Sequence, residues 1–255
     1  AKNSDNGGVH SAYFQTLSNA LDKAGLARPT LIIDKQKLLA NASVLHQHLV
    51  GRYDYRVVTK SLPSVPLLEA VMSHTNTQRL MVFHQPFLNL IANELPNTDV
   101  LLGKPMPVAA AARFYQQHRT TQFDARHQLQ WLVDSPVRLM QYAELGRQRG
   151  ELMLINLELD VGLHRGGIKS EEQLAVALDI IEREPFLQFS GFMGYDPHVS
   201  KNPGLLGGAE AAFSAVQKTY QNFVTIAERQ LQRSLSGLTL NAAGSPTYQR
   251  YTGAQ

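Results

Sequence analysis

The sequence predicts an α/β fold on a parallel sheet, a TIM-type (β/α)8 barrel. Three observations carry this. Short apolar strands alternate with amphipathic helices from residue 55 onward. The strand candidates are apolar on both faces, as strands covered on both sides are. The length, 255 residues, is that of one such barrel. Composition agrees, since 44% hydrophobic and 18% charged residues exclude a disordered chain.

The elements follow in order. Residues 1–10 read as a loose tail. Tyr13, Leu17, Leu21 and Ala24 recur at helical spacing, and Gly25 stops that helix. Pro29 then introduces Thr30–Asp34, a run expected to form a strand. Leu38, Ala42, Leu45 and Leu49 mark a helix over 35–50. Strands are then expected at Tyr55–Thr59, Arg79–Phe83, Val100–Leu102, Leu129–Val133, Leu152–Leu159, Leu187–Phe192 and Leu238–Asn241. Helices are expected near 64–74, 86–94, 105–118, 136–149, 170–184 and 209–233. Ser135-Pro136 supplies a cap followed by proline at the first helical position. Ser170-Glu171-Glu172-Gln173 has the form of a capping box. Seven strands from residue 55 leave the barrel one short of eight. The expected division is 1–28 for the tail and first helix, and 29–255 for the barrel domain.

Composition also narrows the function. Without cysteine there are no disulfides, thiolate metal sites or cysteine nucleophiles. A cysteine-free chain without a signal-peptide core favours a cytoplasmic location. The 24 Lys and Arg face 21 Asp and Glu, for a net charge of +3. They form no basic run, so no nucleic-acid partner is expected. No apolar stretch approaches 18 residues, so no membrane partner is expected. Walker, GxGxxG and GxSxG motifs are absent. The histidines do not pair at metal-ligand spacing. His46 and His48 should point from different faces of their helix toward the surface.

Four places could carry chemistry. Lys60 ends the first barrel strand, where barrel enzymes keep their active sites. There it could serve as a Schiff-base amine or merely snorkel. Asn156–Gly167 interrupts an apolar strand with Glu158 and Asp160, then turns through glycines carrying His164 and Arg165. Its carboxylates could do acid–base work, or Glu158 could simply pair with a neighbouring cation inside the barrel. Gly194-Tyr195-Asp196-Pro197-His198 follows the sixth strand, and Asp-Pro turn chemistry explains part of it. Asn241–Thr247 follows the seventh, where Gly244, Ser245 and Thr247 could cradle a phosphate or form an ordinary turn.

The order of these segments is informative. Asp34 and Asn41 precede Val57-Val58-Thr59-Lys60-Ser61. Then come Leu157–Gly162 with Arg165-Gly166-Gly167, then Gly194-Tyr195 and His198, then Gly244–Thr247. This order resembles the fold-type III pyridoxal-phosphate enzymes. Within them it looks most like the D-threonine aldolase and D-serine dehydratase group of alanine racemase N-terminal-domain proteins. Asn6-Gly7-Gly8 with Tyr13-Phe14 is similar to bacterial members of that group.

The resemblance implies an alanine racemase N-terminal-domain barrel and pyridoxal 5'-phosphate on Lys60 as a Schiff base. Arg165 would contact the phenolate edge of the cofactor, and Tyr195 would lie by its ring. Gly244, Ser245 and Thr247 would hold its phosphate. His198 would lie near the substrate as a catalytic residue. The implied activity is a lyase on β-hydroxy D-amino acids, by retro-aldol cleavage or elimination. A racemase and a non-catalytic cofactor-homeostasis protein are the alternatives, and a cofactor-free barrel with a structural Lys60 is the blandest reading. Members of the group continue into an eighth strand and a C-terminal β-domain carrying a divalent metal site. Both parts are expected to be missing here, and no metal ligands are expected in this chain. The small-molecule partner would be a D-amino acid, and a homodimer is expected by analogy. Ala243 replaces a glycine usual in the group, which reads as mild because alanine resists only positive φ.

Overall fold

A computed structural model of the chain describes residues 10–201 and 208–253. Asn6, Gly7 and Gly8 lie outside the described residues. The chain divides into two compact units, residues 1–41 and 42–255.

In the first unit, α1 (Ala12–Lys23) carries no buried residue. Its Tyr13 hydroxyl donates to Asp34 at 2.8 Å, and the Lys37 ammonium lies 4.0 Å from the Tyr13 ring. The strand expected at Thr30–Asp34 does not form: these residues enter no ladder. Leu31 is 89% exposed there. Strand propensity is realised only against a pairing neighbour and a buried face, and this run has neither among the described residues. Helix α2 (Lys35–Leu49) follows.

The second unit holds seven strands: β1 (Arg56–Val58), β2 (Arg79–Val82), β3 (Asp99–Leu102), β4 (Leu129–Val133), β5 (Met153–Glu158), β6 (Leu187–Gly194) and β7 (Thr239–Ala242). All neighbours pair in parallel, and spatial order equals chain order. Parallel neighbours require crossovers, and each is made through helix. These are α3 (Val65–Thr75), α4 (Gln85–Glu94), α5 (Val108–Gln117) with the short α6 (Ala125–Gln128), α7 (Pro136–Arg149), α8 (Glu171–Arg183) and α9 (Gly208–Leu231). The result is a curled, open barrel, with β1 and β7 unpaired to each other among the described residues. Its curl brings Gln130 on β4 within 2.9 Å of the Thr239 hydroxyl on β7.

Helix starts obey the expected chemistry. Ser135 and Ser170 cap α7 and α8, accepting from Arg138 and Gln173 amides. Between sheet and helices, Phe114, Trp131 and Tyr142 are fully buried. The Trp131 indole donates to Tyr115 and the Tyr142 hydroxyl to the Met106 carbonyl, so each buried polar handle has a partner.

The barrel interior departs from the expectation of two apolar faces. Its floor is a polar belt with contributions from five strands. The Arg56 guanidinium donates to the Asp99 carboxylate at 2.5 Å and to the Leu80 and Asp99 carbonyls. The Gln130 amide reaches Asp99 and Thr239, and the Asn156 amide donates to Gln130 and the Thr239 carbonyl. One extra residue, Ser190, bulges β6 where Ile155/Asn156 face Phe189/Gly191. Gly191 has φ +135, and a Cβ there would collide with the Thr239 carbonyl. Only glycine lets β7 approach this closely.

Candidate active site

Every parallel strand of the barrel ends at the same rim, and there the candidate residues gather. Lys60 follows β1 on a 3-10 turn spanning Thr59–Ser61. The turn is pinned by the buried Thr59, whose hydroxyl donates to the Met81 carbonyl at 3.0 Å. Lys60 itself is exposed, and its ammonium lies 4.2 Å from the centre of the Phe83 ring just past β2. Phe83 in turn covers Gly103, past β3: a Cβ on Gly103 would collide with that ring. The Gly103 carbonyl accepts a long bond from the Arg165 guanidinium at 3.4 Å. Arg165 also donates to Glu158 at 2.7 Å and stacks 5.0 Å from the centre of the Tyr195 ring. Finally, the edge of Tyr195 lies over Gly244, where a Cβ would come within 2.7 Å of it.

A continuous line of contacts therefore runs Lys60–Phe83–Gly103–Arg165–Tyr195–Gly244 across the rim. It joins four of the sequence-predicted site residues through two that the sequence did not single out, Phe83 and Gly103. Neither carries a spacing signal, because each acts only by touching a residue on the next strand.

The acidic-strand motif separates into two jobs. Glu158 is 3% exposed and ends β5. Burial raises its carboxyl above the usual range, with Arg165 opposing and nearby Asp134 adding to the rise. It orients Arg165, as the paired-cation reading of the sequence has it. Asp160 instead ties the turn together. It accepts from the Gly162 and His164 amides and pairs with the His164 ring at 2.9 Å. Burial pushes its carboxyl up, but these hydrogen bonds outweigh that and hold it below its ordinary value. The turn is tight enough that Gly162, at φ +111, faces His198 Nε2 where a Cβ would be 3.0 Å away. The Nδ1 of that histidine is buried with no hydrogen-bond partner among the described residues.

The loop after β7 is ordered by its own groups. Thr247 is fully buried, and its hydroxyl donates to Asp196 at 2.7 Å while accepting the Gly244 amide at 3.2 Å. Ser245 is exposed at the loop tip. Ala243 sits at φ +63, the one region alanine resists, so its replacement of glycine is not mild. Asp196, read as a turn residue, is a fully buried carboxylate. His48 is also more than a surface residue. It is half-buried, and its Nε2 lies 3.1 Å from both the Tyr248 and Tyr251 carbonyls beyond β7.

Among the described residues no group of three or more His, Asp or Glu could hold a metal ion. None of their helices is long and apolar enough to cross a membrane.

Comparison with known proteins agrees with this architecture. The family model for the alanine racemase N-terminal domain matches residues 33–255. The D-threonine aldolase of Filomicrobium marinum superposes with a TM-score of 0.72 at 14% identity, over 88% of this chain and 58% of its own. The D-threo-3-hydroxyaspartate dehydratase of Delftia sp. HT23 gives 0.66 at 18% identity, over 88% and 56%. An alanine racemase of Bacillus anthracis gives 0.63 at 15% identity, over 84% and 57%. The chain thus spans less than three-fifths of each of these structures. No curated protein matches it in sequence.

Proposed function

We propose that this chain, which belongs to the alanine racemase N-terminal-domain family, binds pyridoxal phosphate at its rim and uses it to cleave β-hydroxy D-amino acids. The observation that carries the reading is the unbroken line of contacts from Lys60 to Gly244. It sets an amine, a guanidinium, an aromatic ring and a small-residue loop along one edge, at strand ends where barrel enzymes do chemistry.

The residues fit the cofactor. Among the described residues the Lys60 ammonium meets an aromatic face, which leaves its amine for a carbonyl partner. Gly244, with no side chain, lets the edge of Tyr195 lie directly against the loop after β7. Arg165 holds its charge over the Tyr195 ring, with Glu158 fixing its angle. Ser245 offers a hydroxyl at the loop tip. When bound, the cofactor supplies an electron sink for charge developing at an amino acid's α-carbon.

The chain's residues do the rest. Lys60 Nζ would hold the cofactor and, when free, would take or return a proton at the substrate. Phe83 shields one side of that amine from water. His198 stands where the Gly162 turn meets the strand ends. Its ring is half-buried with Nε2 toward that turn, and this nitrogen is the one we assign to receive a substrate hydroxyl's proton. A β-hydroxyl proton leaving in this way accompanies cleavage to glycine and an aldehyde.

The test is the purified chain, and any longer parent chain, incubated with pyridoxal phosphate and D-threonine, D-serine or alanine enantiomers. Glycine plus acetaldehyde, or pyruvate plus ammonia, supports a lyase. Racemised alanine as the sole product would replace it with a racemase. Cofactor binding without any turnover would favour a cofactor carrier.

A further inference from the structure

The loop after β7 is anchored by a carboxylate that the function proposed above does not use. Asp196 is fully buried. Its Oδ1 accepts the Thr247 hydroxyl at 2.7 Å, and its Oδ2 accepts the Tyr251 hydroxyl at 2.9 Å. The Thr247 oxygen then accepts the Gly244 amide. Tyr251 is locked in turn, its ring edge-on to Phe213 at 4.9 Å and its carbonyl held by His48.

Burying a carboxyl group is costly unless hydrogen bonds satisfy its oxygens. Two such bonds converge on a loop whose first residue, Ala243, is held in the left-handed region. Strain of that kind persists only where the surroundings over-determine it. The same Asp196 directly follows Tyr195, whose ring edge lies against Gly244. One carboxylate therefore fixes both the ring-side residue and the loop opposite it.

We propose that Asp196 is a positioning residue that makes the rim select the phosphorylated cofactor over its phosphate-free form. It does so by holding the 243–247 loop, through Thr247 and Tyr251, in fixed relation to Tyr195. This rests on the pyridoxal-phosphate reading and refines it. Thr247 acts by shaping the loop, since its proton is directed to Asp196, and Ser245 is the residue left facing the phosphate.

The experiment titrates the full chain with pyridoxal phosphate and, separately, with pyridoxal, following absorbance. Wild type, Asp196→Asn, Thr247→Val and the conservative Thr247→Ser are compared, each with its melting temperature. Wild type should prefer the phosphorylated form. Asp196→Asn and Thr247→Val should each weaken pyridoxal phosphate about tenfold and change pyridoxal less than twofold. Thr247→Ser should keep the wild-type ratio. If both ligands weaken together, or neither changes, Asp196 is only structural and the proposal is overturned. If Asp196→Asn does not fold, Thr247→Val decides alone. Failure of the wild type to bind either form would instead overturn the cofactor reading beneath it.

Discussion

The floor and the rim of this barrel are both polar, but they are polar in different ways. On the floor, Arg56, Asp99, Gln130, Asn156 and Thr239 bond mostly to one another. Arg56 is so buried that desolvation lowers its pKa despite the Asp99 carboxylate beside it. On the rim, Lys60 faces an aromatic ring, Ser245 is exposed, and Arg165 spends one nitrogen on Glu158. Polar groups that satisfy each other hold a barrel together, and those left partly unsatisfied at strand ends can meet a ligand. The floor should therefore govern stability and the rim should govern binding.

The sharpest way to break that contrast is at Lys60. Lys60→Ala should abolish covalent attachment of pyridoxal phosphate altogether, because no other amine lies on that line of contacts. The side chain is exposed, so the melting temperature should stay within about 2 °C. A large loss of stability would mean that Lys60 belongs with the floor.

Arg56→Met should do the reverse. It leaves the part-exposed Asp99 carboxylate without its cation and the Leu80 and Asp99 carbonyls without that donor, a change costing roughly 1–3 kcal/mol. Urea unfolding measures the loss. The fraction still folded should bind cofactor with unchanged affinity, and a parallel loss of affinity would dissolve the distinction.

Gly103→Ala tests the rim's line of contacts at a residue with no chemistry of its own. The new methyl must push Phe83 away from Lys60, an overpacking cost of about 1–3 kcal/mol. Cofactor affinity should fall even though no liganding group has changed. Intact affinity would show that Phe83 does not position the lysine.

A smaller effect sharpens the account of Glu158. Its pKa is raised by burial, so its contribution to stability is present in acid and fades as pH rises through the raised value. Relative to Glu158→Gln, wild type should lose ground from about pH 4 to pH 7 in urea unfolding. A gain over that range would mean that Arg165 outweighs burial.

The smallest effect belongs to Ala243→Gly. Relief of the left-handed backbone, less the entropy of a freer unfolded chain, should stabilise by about 0.5–1 kcal/mol. Destabilisation would show that the φ of +63 is not strained in this loop.

The sequence made much of the scaffold legible, because periodicity and caps are local signals. β4 runs over Leu129–Val133, as an apolar run broken only by Gln130 and its flanking turns predict. Helix α7 begins at Pro136, behind its serine cap. The Thr30–Asp34 run misled, since a β-branched segment says nothing about whether a partner strand exists. The floor belt was hidden for a related reason. Each of its strands contributes one or two residues, and they meet only once the sheet curls. At the rim, Lys60, Arg165, Tyr195 and Gly244 stood out by position at strand ends. Phe83, Gly103 and the buried role of Asp196 did not, because their meaning lies in a neighbour on another strand. Ala243 was visible as a substitution, but its cost depended on a φ that no residue type reveals.

The most direct test of the central claim is borohydride reduction of the chain saturated with pyridoxal phosphate, followed by peptide mass spectrometry. The account predicts one dominant reduced adduct, on Lys60, with Lys104 and the surface lysines essentially unmodified. An adduct on Lys104, or one scattered over many lysines with Lys60 bare, would contradict it.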